Sequence, residues 1–156
     1  MRLKIIAAGR LKSGPERELV DRYAARIGGS GAGIGLGPLD ECEVDTRAFS
    51  DKTAESTALA AQIPDAAALC LLDERGKSLS SREFASQIAG WRDDGFRDAA
   101  FVIGGADGLD RAAFGAPRLI LSFGKAVWPH MLVRAMLAEQ LYRAVSILSG
   151  APYHRD

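Results

Sequence analysis

The sequence predicts an α/β fold built on a mostly parallel sheet with flanking helices. Three observations carry this. Short apolar runs at residues 3–8, 67–73 and 99–103 read as buried strands. Segments with apolar residues at helical spacing separate them. The resulting order, β-α-β-α-β-α-β-(α)-β-α, alternates, and alternation brings the strands parallel. At 156 residues, without an internal repeat or a linker, the chain is expected to form one domain over 1–156.

Each element has a local reason. Residues 9–14 are rich in glycine and break the first strand. Pro15 suits the first turn of a helix, because its missing N–H has no partner to lose there. Leu19, Val20, Tyr23 and Ile27 mark that helix's apolar face. Residues 28–38 hold six glycines in eleven positions and read as a flexible loop. Residues 39–46 carry Cys42 and Val44 between charged neighbours, the pattern of a half-exposed strand. Ser50 or Asp51 caps an alanine-rich helix to about Ile63, where Pro64 and Asp65 stop it.

The run at 67–73 predicts a central strand followed by a turn over 74–77. Ser80 and Glu83 form a capping box for a helix with Phe84, Ile88 and Trp91 on one face. Residues 99–103 form another strand, closed by the loop 104–108, and 110–114 suit a short helix. Past Pro117, residues 118–122 predict a further strand and 123–129 a loop. The longest helix runs from His130 to about Leu148, with Leu132, Val133, Met136, Leu137, Leu141, Val145 and Leu148 inward. Gly150 and Pro152 end it, leaving a tail that four residues alone would leave frayed.

Composition narrows function by exclusion. Lys+Arg and Asp+Glu are 20 each, so net charge is zero, which argues against an indiscriminate polyanion binder. A local patch could still meet a nucleic acid. Cys42 and Cys70 form no CxxC pair, and with His130 and His154 they make no recognised metal-ligand spacing, so no metal is expected. No apolar stretch approaches a membrane span and no signal segment is recognisable, so a cytoplasmic protein is expected. The glycines of 28–38 follow a helix and fit no dinucleotide fingerprint. Gly76-Lys77-Ser78 looks like the end of a phosphate-binding loop, but Leu71 stands where the motif needs its first glycine.

The informative pattern lies at the strand ends. Ligands of parallel sheets bind beyond the carboxyl ends of the strands. Three such ends carry unusual loops: the one after Leu72, the one beginning Gly104-Gly105, and the one from Phe123 to Pro129. They read equally well as tight turns or as an apolar pocket whose ligand is bound by main-chain hydrogen bonds. Read alone, His130 is a structural residue at the start of a helix.

Four ordered motifs resemble one family. They are LLDERGK at 71–77, IGG-x-x-G at 103–108, WPHMLVR-x-x-x-x-EQLYRA at 128–144, and the terminal PYHR at 152–155. Together they resemble the RlmH family, bacterial methyltransferases of the SPOUT class that modify N3 of a pseudouridine in large-subunit rRNA. The resemblance covers the whole chain. It implies a SPOUT-type fold with a deep trefoil knot in its C-terminal part, which no periodicity predicts. It implies S-adenosylmethionine as methyl donor, held by Leu72, Gly104 and the loop Phe123, Gly124, Lys125, Ala126, Val127 and Trp128. Gly105 and Gly108 are turn-makers in the same motif, and Ala106-Asp107 departs from the Pro-Glu common in relatives.

A homodimer is implied too, with the last helix at its interface and Leu137, Leu141 and Val145 serving a partner as well as the core. The implied substrate is helix 69 of 23S rRNA in the assembled 70S ribosome. Methyl transfer needs N3 to lose a proton. His154 is the first candidate for the base or orienting group, and His130 the second. Arg155 could hold a phosphate or the charge developing on a uracil oxygen, and Tyr153 offers a stacking ring. Arg134 is expected to contact RNA or fix the dimer. The rival readings are a SPOUT enzyme with another RNA target, a ribosome-associated dimer without activity, and a generic nucleotide-binding module.

Overall fold

The computed structural model describes residues 1–49 and 51–155. Its elements are β1 (Arg2–Ala8), α1 (Pro15–Ser30), β2 (Leu39–Val44), α2 (Lys52–Ala60), β3 (Ala68–Lys77), α3 (Ser81–Asp93), β4 (Asp98–Ile103), β5 (Leu119–Leu121) and α4 (His130–Ser149). The five strands form one sheet in the order β2-β1-β4-β3-β5, every pair parallel. Both faces are covered, as an all-parallel sheet requires. Leu3, Ile5 and Ala7 point from β1 into a core with α1, α3 and α4, where Phe84 and Trp91 pack on Phe101 at 6.1 Å between ring centroids. Ile6 and Ala8 point the other way, to Leu59 of α2 and to Leu109 and Phe114.

Two predicted features hold in detail. The Ser80 hydroxyl accepts from the Glu83 amide at 3.2 Å, and the Glu83 carboxylate accepts from the Ser80 amide at 2.7 Å. Asp51 caps α2 through the Ala54 amide; Ser50 lies outside the described residues. No described helix is long and apolar enough to cross a membrane.

Other expectations need correction. The glycine-rich segment is not a flexible loop. α1 continues through Gly28 and Gly29, a single 3-10 turn follows at Ala32–Ile34, and Leu36 is buried. A Cβ on Gly31 would lie 2.1 Å from the Leu36 carbonyl oxygen, so the chain doubles back where only glycine fits. Burial of Leu36 and bonds from the Gly37 amide and Arg92 to the Met1 and Ile34 carbonyls offset the weak helix propensity of glycine.

The predicted turn at 74–77 is instead part of β3. Lys77 pairs with Leu121 after a register shift beyond Leu72, and a Cβ on Gly76 would meet the Ile120 carbonyl oxygen at 2.6 Å. α2 stops three residues early, at Ala60, and the helix expected at 110–114 is one 3-10 turn, Arg111–Ala113. Leu137, Leu141 and Val145 are fully buried within the chain, so they have no surface left for a partner. Leu132 and Met136 instead line an outer groove between α3 and α4.

Candidate active site

A cleft of about 240 Å³ opens at the carboxyl ends of β3, β4 and β5. That is where parallel sheets place ligands. Its floor and walls are apolar, from Leu72, Ile103, Leu109, Leu121 and Val133. Three main-chain features shape it, and each has a local cause.

The first is the turn after β4. Gly104 is buried, and a Cβ there would lie 2.8 Å from the carbonyl carbon and oxygen of Gly108. The Gly108 amide donates to the Gly105 carbonyl at 3.1 Å, and Gly108 has φ +72. The turn is held from behind by α2: the Gly105 amide donates to Glu55 Oε1 at 2.8 Å, and the Asp110 amide to Ser56 Oγ at 2.9 Å.

The second is the bulge in β3. Its register shift pushes Asp73, Glu74 and Arg75 into the cleft wall. The Asp73 side chain is only 7% exposed and bonds the Arg75 amide at 2.8 Å and the Arg111 guanidinium at 3.0 Å. Burial pushes its carboxyl up. The bonds from the Arg75 amide and from Arg111 and Arg75 outweigh that, so the net shift is downward.

The third is the loop between β5 and α4. The buried Ser122 hydroxyl donates to the carbonyls of Glu74 and Gly124 and accepts from the Gly124 amide, at 2.9–3.2 Å. Gly124 takes φ +99. Trp128 Nε1 closes the loop on the Phe123 carbonyl at 3.3 Å. Val127 and Trp128 remain 83% and 42% exposed at the rim.

The expected cofactor contacts Leu72, Gly104, Phe123, Gly124, Ala126, Val127 and Trp128 all line this cleft, whereas Lys125 is exposed outside its lining. Of the four catalytic candidates, His130 lines the cleft. The tail does not line it. Tyr153 donates to Glu139 at 3.1 Å and packs on Tyr142 at 4.6 Å, and Arg143 Nη1 lies 3.1 Å from His154 Nδ1. Glu139 is nine residues along α4 from His130, about 14 Å of helix. The tail is therefore docked rather than frayed, but away from its own chain's cleft. Arg155 is exposed. Burial, the bond with Tyr23 and the Glu139 carboxylate raise the Tyr153 phenol above its ordinary range, so it stays a donor at neutral pH.

Arg134 also requires correction. It is 0% exposed and makes no outward contact. Its Nη1 donates to Glu41 at 2.9 Å and Glu43 at 2.6 Å, and its Nη2 to the Ala8 and Gly9 carbonyls at 3.1 and 3.0 Å. It is an internal cation and meets no RNA. The alternation of Glu41 and Glu43 on one face of a half-exposed strand was the sequence signal for it. The roles of Glu55, Ser56 and Ser122 had no such signal, because they are set by contacts distant in sequence.

Comparison with known proteins adds the lineage. A solved methyltransferase of Legionella pneumophila with bound SAM matches at TM-score 0.44 and 14% identity, over 90% of this chain and 65% of that one, too distant to bear on this site. Much nearer is a protein of Maricaulis maris (strain MCS10) named Ribosomal RNA large subunit methyltransferase H, 61% identical over 156 residues and 100% of both chains. Proteins of that name from Roseobacter denitrificans and Dinoroseobacter shibae are 54% and 53% identical, covering 100% and 99% of each chain. The family described as "Predicted SPOUT methyltransferase" matches residues 1–154. A family match over nearly every residue and full-length relatives more than half identical leave one assignment: the chain belongs to the SPOUT methyltransferases, in the RlmH family.

Proposed function

We propose that this protein methylates large-subunit rRNA, transferring the methyl group of S-adenosylmethionine to N3 of the helix 69 pseudouridine in 23S rRNA within the assembled 70S ribosome, in the cytoplasm. The observation that carries the reading is the cleft itself. It joins the motif loops that mark the family into one apolar-walled cavity at the strand ends.

The residues present fit the cofactor. Gly104 leaves room where a Cβ would collide, the apolar walls suit an adenine ring, and Glu74 and Asp107 set carboxylates at the lining, complementary to a sulfonium. Bound there, S-adenosylmethionine would supply an electrophilic methyl group and need no metal. The chain's own part is to bind, orient and deprotonate. Leu72, Gly104 and the loop 123–128 hold the donor so that N3 attacks in line. His130 is the imidazole in the cleft lining and is placed to take the N3 proton.

The tail acts in this reading from a partner. Tyr153, His154 and Arg155 lie away from their own cleft, so in a homodimer they would serve the other subunit's, with His154 orienting the base and Arg155 holding a phosphate or the developing charge. The exposed Val127, Trp128 and Met131 and the groove beside Leu132 and Met136 offer that dimer an apolar face. The trefoil knot of the SPOUT class belongs to the same reading.

The test is methyl-labelled S-adenosylmethionine with vacant 70S ribosomes lacking the modification, and free 50S subunits alongside. Mass spectrometry then locates the label. Label on the helix 69 pseudouridine in 70S alone is expected. Label elsewhere means another RNA target, and no label with folded protein means a binding role.

A further inference from the structure

We propose that Arg134 is a positioning residue for cofactor binding: a buried cationic clamp that sets where α4 begins, and through it the loop 123–129 and His130. This rests on the reading of the cleft as the S-adenosylmethionine site.

The argument starts from cost. A guanidinium with no exposure forfeits its hydration, and such a group is retained where its bonds fix a geometry. Arg134 spends its four bonds on three separate pieces of chain: the end of β1 and the residue after it, through Ala8 and Gly9, and β2 through Glu41 and Glu43. Glu43 Oε1 also accepts from the Leu11 amide at 2.7 Å, and Glu41 from Arg17 at 2.5 Å. The clamp is thus braced on its far side and charge-balanced by two carboxylates against two guanidiniums. Arg134 Nε is buried without a partner, so packing alone did not select this side chain.

The clamp bears on the cleft. His130 lies one turn before Arg134 on α4, on the same helix face. It is tucked against β1's end: a Cβ on Gly9 would lie 3.7 Å from His130 Nε2. Val133, beside Arg134 in sequence, also lines the cleft. The loop 123–129 therefore hangs between two fixed points, Ser122 at the end of β5 and the clamped first turn of α4. Neither Arg134 nor its carboxylates line the cleft, so its effect is exerted through placement.

The experiment compares wild type, Arg134→Lys, Glu43→Ala and a control in the distant α3 core, Ile88→Val. Cofactor Kd is measured by calorimetry at a temperature where circular dichroism shows each protein folded. Steady-state KM is measured for cofactor and for 70S ribosomes. The clamp variants should raise cofactor Kd and KM by ~10- to 100-fold, the scale of a displaced binding loop, with the ribosome KM unmoved. The control should melt lower with cofactor Kd unchanged. Folded clamp variants whose Kd stays within about twofold of wild type overturn the proposal. If Arg134→Lys fails to fold, Glu43→Ala decides alone, since it leaves the bonds to Glu41, Ala8 and Gly9. A wild type that binds no S-adenosylmethionine overturns the cofactor reading itself, and this proposal with it.

Discussion

Replacing Gly104 with alanine tests the cleft most directly. The added Cβ would sit 2.8 Å from the Gly108 carbonyl carbon and oxygen and 3.0 Å from Leu109 Cδ2. Ordinary contact begins at 3.4 Å, so the turn must open by about 0.6 Å against backbone atoms that have no rotamer to escape into. The turn is also held by the Gly105–Glu55 and Asp110–Ser56 bonds, which resist that opening. Overpacking of this kind costs about 1–3 kcal/mol. For a chain of this length that lowers the melting temperature by about 2–12 °C. Displacing the cleft wall should weaken cofactor binding by ~100-fold. Calorimetric titration and a thermal melt measure both. A variant that melts and binds like wild type would show that the turn is pliable and that its glycine does not shape the site.

Three further outcomes are expected. His154→Ala should reduce methylation of 70S ribosomes while cofactor affinity stays near wild type, and equal turnover would remove His154 from the mechanism. Ser80→Ala removes the hydroxyl half of the α3 capping box and should cost about 1 kcal/mol, read as a drop of about 2–4 °C in the melt. Asp73 has a carboxyl pKa depressed in the folded state, so its contribution is fully present above the unfolded value near ~3.9 and is lost as pH falls through the folded value. Because Arg75 and Arg111 are largely exposed, that contribution is about 1 kcal/mol or less. Melting curves of wild type and Asp73→Asn should differ at pH 7 and converge towards pH 2; a constant gap would assign the effect to packing.

Where the sequence was legible, the signal was local. The apolar runs of β1, β3 and β4 and the Ser80–Glu83 box declare themselves within a few residues, and the motif loops declare the cleft. The failures share one cause. Gly28 and Gly29 are poor helix formers in isolation, but Leu36 buries itself against distant residues and holds the segment in place. Gly76 reads as a turn because its reason, the approach of Ile120, comes 44 residues later. Arg134 reads as a surface charge because its counter-charges sit more than 90 residues earlier. A helix face is written in spacing, whereas a clamp is written only in three dimensions.

The strand order has a consequence for how the chain comes off its own ribosome. β1 emerges first but lies between β2 and β4, so only one of its two edges can pair until residues 98–103 are made. Arg2 waits just as long for Asp98, which it grips at 2.7 and 2.9 Å. Glu41 and Glu43 then stand side by side without Arg134 until α4 appears. A nascent chain halted before that helix therefore carries an open sheet edge and two uncompensated acids. Contacts spanning so much of the sequence make for slow closure. The fold is completed from its last helix backwards, and the cleft is among the final parts to take shape.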